Sequence, residues 1–135
     1  MNQNHITIAI DAMGGDNSPN KVIKGCEIFL NDNKCVKLII FGNKNSINNH
    51  FLKKYSEVIS LVHCEEVILD NDKPSSVLRS KKESSMRKAI EFIQSKNNIG
   101  FVSAGNTGAV TALSKILLGT LENIKRPAFC SMIPT

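Results

Sequence analysis

The sequence predicts an α/β fold, a Rossmann-like and mostly parallel sheet with helices on both faces, and three observations carry that reading. Short apolar runs alternate with longer amphipathic segments along the chain, the pattern that parallel strands joined by crossover helices produce. The runs ITIAI at 6–10 and VKLIIFG at 36–42 are almost continuously apolar, which suits burial on both faces better than a half-exposed hairpin. Two of the runs break directly into glycine-rich turns and then into helical patterns, so both turns are expected at the carboxyl ends of strands, where ligands of such folds collect.

Taken in order, Ile6 to Ile10 is the first strand and ends in Asp11. DAMGGD at 11–16 sets two glycines between two carboxylates, and Ser18-Pro19 has the form of an N-cap followed by proline at the first helical position. From Pro19 to Leu30, Val22, Ile23, Cys26 and Leu30 recur at helical spacing beside Phe29, leaving Lys21, Lys24 and Glu27 for solvent. Val36 to Gly42 is the second strand. Ile47, Phe51, Leu52 and Tyr55 give 43–55 a weaker helical pattern, and Val58 to Val62 reads as the third strand. Glu65 to Lys73 mixes an apolar triplet with turn formers and is expected to be loop. Arg79, Lys81 and Lys82 then precede Ser84-Ser85, the N-cap signal for a helix to about Lys96 with Met86, Ala89, Ile90 and Ile93 as its stripe. Asn97-Asn98 punctuate that helix and lead into the fourth strand at Gly100. A helix from Thr107 to Leu118 meets Gly119 as its C-terminal cap, and the fifth apolar run, AFCSMI after Pro127, reads as a fifth strand.

A chain of 135 residues with 41% hydrophobic content suits one domain with a real core. Its apolar runs are shorter than the roughly 18 residues of a membrane span, and the MNQNH start lacks the basic-then-apolar design of a signal, so a cytoplasmic address is expected. The four cysteines show no C-x-x-C spacing and do not cluster with the three histidines, which reads as reduced thiols and no metal. The net charge of +5 rests mainly on lysine, and one tyrosine with no tryptophan leaves little for base stacking, so an acidic protein partner is a better use of the charge than nucleic acid.

The stretch GFVSAGNTGAVTALSKILLG at 100–119 is the centre of the functional reading. Gly105 and Gly108 bracket Asn106 and Thr107, so backbone amides can approach an anion, and the helix opening near Thr107 adds unpaired N–H groups and the positive end of its dipole. A plain strand-to-helix turn capped by Thr107 fits the same local pattern. Neither glycine loop is G-x-G-x-x-G, and neither is followed by the Lys-Ser/Thr of a P-loop, so the dinucleotide and ATP readings lose their anchors and a single phosphoryl group is the better fit. Asp11 and Asp16 are placed to position or deprotonate such a ligand, or else to hold loop amides and form a turn.

Four motifs, DAMGGD at 11–16, KKESSM at 81–86, SAGNTGA at 103–109 and RPA at 126–128, closely resemble the PlsX family of phosphate acyltransferases, over residues 6–135. The resemblance implies a Rossmann-like homodimer related to phosphotransacetylases that makes acyl phosphate from acyl-[acyl carrier protein] and orthophosphate, for phospholipid synthesis. No cofactor is implied. It also implies peripheral contact with the inner face of the cell membrane and with a membrane glycerol-phosphate acyltransferase. Members of the family continue beyond the place where this chain stops, which implies that residues 1–135 are the N-terminal part of a single α/β catalytic fold. In that reaction phosphate attacks the thioester directly, without an enzyme nucleophile. Ser103, Gly105, Asn106, Thr107 and Gly108 are assigned to the phosphate side, with Gly14, Gly15 and Asp16 closing the opposite wall. Asp16 and Asn106 are the expected catalytic residues, Asn106 as an oxyanion donor. Arg79, Lys81 and Lys82 are expected to draw in phosphate or the acidic carrier protein, or to be a solvated charge run. Two other functions stay open: a phosphotransacetylase-like transferase using acyl-CoA, and a non-catalytic phosphate- or nucleotide-binding module.

Overall fold

A computed structural model describes residues 6–96 and 99–134. In chain order the elements are β1 (Ile6–Asp11), α1 (Asn20–Asp32), β2 (Val36–Gly42), α2 (Asn49–Lys54), β3 (Ile59–His63), α3 (Pro74–Ser80), α4 (Ser85–Gln94), β4 (Ile99–Ser103) and α5 (Thr107–Leu117). The strands form one four-stranded sheet in the order β3-β2-β1-β4, and every pair is parallel. The α/β fold with an all-parallel sheet agrees with the sequence.

Period-two alternation divides the core between two faces. Ile10, Leu38 and Ile40 pack on one face against Ile23, Cys26 and Leu30 of α1 and Phe51 of α2. Ala9 and Phe41 face the other way onto Ala89 and Phe92 of α4, with the Phe41 and Phe92 rings 5.7 Å apart and tilted. A further layer forms where Val77 of α3 and Ala109 and Leu113 of α5 close over Met86 and Ile90 of α4. The chain runs from β1 outward to β3 with α1 and α2 on one face, then returns past β1 to β4 with α4 on the opposite face. Right-handed crossovers demand that change of face when the direction of travel reverses.

Several boundaries differ from the sequence reading. The AFCSMI run is no strand: residues 127–134 carry no regular structure, and Phe129, Met132 and Ile133 are 72%, 97% and 83% exposed. Strand propensity alone buries nothing, and this segment pairs with no strand among the described residues. Residues 74–80 form α3, which has Pro74 in its first turn and only Val77 buried, too short a helix to leave an apolar period in the sequence. α2 begins only at Asn49, because Asn43 and Ser46 close a turn first and Asn48 caps the helix by accepting from the His50 amide at 2.8 Å. Ser18 is not the cap of α1. Pro19 holds that position, and the Ser18 hydroxyl donates to the Gly14 carbonyl. Gly119, at φ +81, lies just past α5 as expected of a C-terminal glycine. No helix among the described residues is long and apolar enough to cross a membrane.

Candidate functional site

β1 and β4 lie side by side, yet the chain leaves β1 for α1 on one face and leaves β4 for α5 on the other. This reversal opens a crevice at the carboxyl ends of the two strands, the place where open parallel sheets bind ligands. The two glycine turns meet there back to back. A Cβ on Gly14 would stand 2.6 Å from Asp11 Oδ2 and 2.8 Å from the Gly105 nitrogen. Gly15 has φ +86, and a Cβ there would run into the Ala104 carbonyl oxygen. The glycines therefore let one loop seat on the other. Gly105 lies outside the left-handed region, and its Cβ would meet Met86 Cε at 2.9 Å, so it is small for lack of room rather than for its backbone angle.

Asp11 is the buried centre of this junction, with 1% of its surface exposed. Its Oδ1 accepts from the Ser85 hydroxyl at 2.6 Å and from the Met13 amide at 3.2 Å, while Oδ2 accepts from the Ser103 hydroxyl at 2.7 Å. Ser103 Oγ in turn accepts from the Gly105 amide at 3.1 Å. DAMGGD, KKESSM and SAGNTGA, far apart in sequence, are thus joined by one chain of hydrogen bonds. A buried carboxylate is tolerated only when donors surround it, and the hydroxyls and amide supply them. Ser85, expected to serve as part of a helix cap, is the member that sequence reasoning missed. Ser84 does sit at the N-cap of α4, but its hydroxyl donates to the Lys81 carbonyl.

The Asn106 side chain is fully engaged by its own structure. Oδ1 accepts from the Ala109 amide at 3.0 Å and caps α5, and Nδ2 lies 3.2, 3.0 and 3.0 Å from the carbonyl oxygens of Leu69, Asp70 and Asp72. The 69–72 turn, itself closed by the Leu69 amide donating to Asp72 Oδ2 at 2.9 Å, is thereby tied to the start of α5. The 65–73 stretch is loop, as expected, and through Asp70 it forms a wall of the site. Thr107 and Gly108 are exposed on the first turn of α5, with Gly108 close against Pro74 of α3. Their amides lie in the turn that has no helical acceptor.

Between α1 and the β1–β4 edge lies a cleft of about 510 Å³. Its floor is apolar, formed by Ile8, Ile10, Val22, Phe29, Leu38 and Val102, and its rim is polar, with Gly15, Asp16, Ser18, Lys21, Asp70 and Ser103. The structure thus brings Gly15 and Asp16 to the same opening as Ser103, and leaves Asn106, Thr107 and Gly108 outside that lining, beyond the turn. Lys21, assigned to solvent by its helical position, borders the cleft. Of the basic run, Lys81 lies 4.0 Å from Asp72, whereas Arg79 and Lys82 are exposed. Burial pushes the Cys26 and Cys64 thiols up to about 11, so both are neutral thiols near neutral pH and poor nucleophiles.

Comparison with known proteins agrees with this architecture. Proteins called phosphate acyltransferase are 46% identical to the chain in Wolbachia pipientis subsp. Culex pipiens (strain wPip), over 98% of the chain and 40% of the relative. The identity is 46% in Ehrlichia canis (strain Jake), over 96% of the chain and 40% of the relative. It is 41% in Halorhodospira halophila (strain DSM 244 / SL1), over 96% of the chain and 39% of the relative. The chain therefore spans about 40% of the length of the curated relatives it matches. A family model described as fatty acid synthesis protein matches residues 6–135, which includes both glycine loops and the strands that carry them, and the chain belongs to that family.

Proposed function

We propose that the chain is the N-terminal part of a phosphate acyltransferase that forms acyl phosphate from an acyl thioester of acyl carrier protein and orthophosphate. The observation that carries this reading is the meeting of two glycine loops at the strand ends beside a cleft with an apolar floor and a polar rim. An acyl chain suits the floor. Phosphate suits the exposed opening turn of α5, where the amides of Thr107 and Gly108 and the Thr107 hydroxyl remain as donors once Ser103, Gly105 and Asn106 have spent theirs internally. A phosphate oxygen attacks the thioester carbonyl carbon, the carbon–sulfur bond breaks, and the thiolate leaves with the carrier protein. Lys21 and Asp16, both on the cleft rim, are assigned to offsetting charge and to orienting the thioester for attack. Arg79 and Lys82 lie exposed for contact with an acidic carrier protein, which fits the formal charge of +5. Homodimer formation and peripheral membrane contact belong to the same reading and rest on the family resemblance alone.

The full-length protein containing this chain should yield hydroxylamine-trappable acyl phosphate from long-chain acyl carrier protein, in strict dependence on phosphate. No trappable product from a well-folded full-length protein refutes the reading. A preference for CoA thioesters in the same assay points instead to a phosphotransacetylase-like donor, and phosphate binding without turnover to a binding module.

A further inference from the structure

We propose that Ser85 and Asp11 are positioning residues: Ser85 fixes the Asp11 carboxylate, Asp11 fixes the Ser103 hydroxyl, and Ser103 fixes the Gly105 amide, so that the start of α4 sets the shape of the turn leading into α5. This rests on the acyltransfer reading for what the turn binds, although the relay itself is a matter of geometry. Its three links measure 2.6, 2.7 and 3.1 Å. Ser85 is buried and does not border the cleft, so it acts through its neighbours and does not touch substrate.

Two features separate the relay from ordinary packing. Neither Ser84 nor Ser85 gives α4 a side-chain cap; the Ser85 hydroxyl is spent on a carboxylate 74 positions away in the chain. Ser85 is the first residue of α4, one past the Ser84 cap position, and its one hydroxyl proton goes to a carboxylate on β1 and not to the helix's own backbone. The Ser103 hydroxyl also has only one proton, and Asp11 takes it. With that proton committed, Ser103 Oγ presents its lone pairs to the Gly105 amide, which holds the turn in one conformation. Without Ser85 the carboxylate loses one of its two hydroxyl donors, Oδ1 keeps only the longer bond from the Met13 amide at 3.2 Å, and the Oδ2 that takes the Ser103 proton is held less firmly.

The test uses the full-length protein and two readouts, phosphate kinetics and amide exchange at Gly105. Ser85→Ala and Ser103→Ala should each lower kcat/KM for phosphate by roughly tenfold to a hundredfold, the size of a hydrogen bond to a charged group. The double variant should be no worse than the poorer single one, because both substitutions break the same relay. Ser85→Thr should restore most of the loss, and Ser85→Ala should speed exchange of the Gly105 amide. Multiplying effects in the double variant, or wild-type phosphate dependence in folded Ser85→Ala, overturns the proposal. If the alanine variant does not accumulate folded, Ser85→Cys replaces it, with the same fall expected and unchanged kinetics counting against the relay. Should the wild type make no acyl phosphate, the functional reading fails, and unchanged Gly105 exchange in the Ser85 variant then overturns the relay independently.

Discussion

Asn106 and Thr107 are neighbours with different tasks, and their substitutions should separate scaffold from site. Asn106→Ala removes the cap of α5 and leaves the carbonyls of Leu69, Asp70 and Asp72 without their shared donor. A lost cap typically costs about 1 kcal/mol and the released carbonyls add a similar amount, so denaturant titration should show about 2 kcal/mol less stability. Thr107→Val, on an exposed position, should leave stability unchanged and cost roughly 1 to 3 kcal/mol of phosphate or transition-state binding in the full-length enzyme. Wild-type phosphate dependence in Thr107→Val places the anion elsewhere. Cys26 and Cys64 make a separate prediction. Their thiols are raised from 9.0 to about 11 in the fold, so the folded state holds those protons more tightly than the unfolded chain does. Their contribution to stability is complete below pH 9 and is lost as pH rises towards 11. Urea midpoints across that window should fall, and Cys26→Ala should flatten the slope; an unchanged slope discounts the burial effect. At this scale the sequence shows which residues cluster in motifs but not their partners. Nothing local to Ser85 announces a carboxylate on β1, and nothing local to Asn106 announces three carbonyls beyond β3.

Among the elements, the two glycine turns differ in how they need their glycines. Gly15→Ala places a side chain on a backbone at φ +86 and against the Ala104 carbonyl, so it strains the turn and pushes the loops apart. Gly105→Ala meets chiefly the end of the buried Met86 side chain and suffers no left-handed backbone penalty. Urea unfolding should therefore rank Gly15→Ala as the more damaging by at least about 1 kcal/mol, the usual size of the left-handed penalty. Equal losses would mean that loop contact alone matters. The same physical distinction explains what was legible. β1, β2 and α1 announce themselves because burial on one or two faces imposes a period on many consecutive residues. α3 does not, since one buried valine in seven residues makes no period, and 69–72 does not, since its order comes from Asn106 rather than from itself. The AFCSMI run misleads for the opposite reason: it has the composition of a strand, but pairing is a property of two segments.

For the molecule as a whole, the outer edges of β3 and β4 are unpaired among the described residues, and Phe129, Met132 and Ile133, after α5 in the chain, stand open to solvent. Unpaired parallel edges and exposed apolar side chains favour association. The 135-residue chain produced alone should scatter light and lack activity, whereas the full-length protein should be monodisperse. A monodisperse, cooperatively melting and active short chain would show that these surfaces need no cover. The buried carboxylate at the end of β1 carries a consequence in time. Its two hydroxyl donors arrive 74 and 92 residues later in the chain, whereas the apolar contacts among β1, α1 and β2 are made within the first few dozen residues. During synthesis the first strands can collapse on α1 long before Asp11 has anything to bond, so its charge must stay hydrated until α4 and β4 dock. A contact that forms only after the rate-limiting step changes the unfolding rate and not the folding rate; if these long-range bonds are of that kind, Asp11→Asn should speed unfolding in stopped-flow experiments and leave the folding limb almost unmoved. The last strand to join is then the one that permits the first to be sealed.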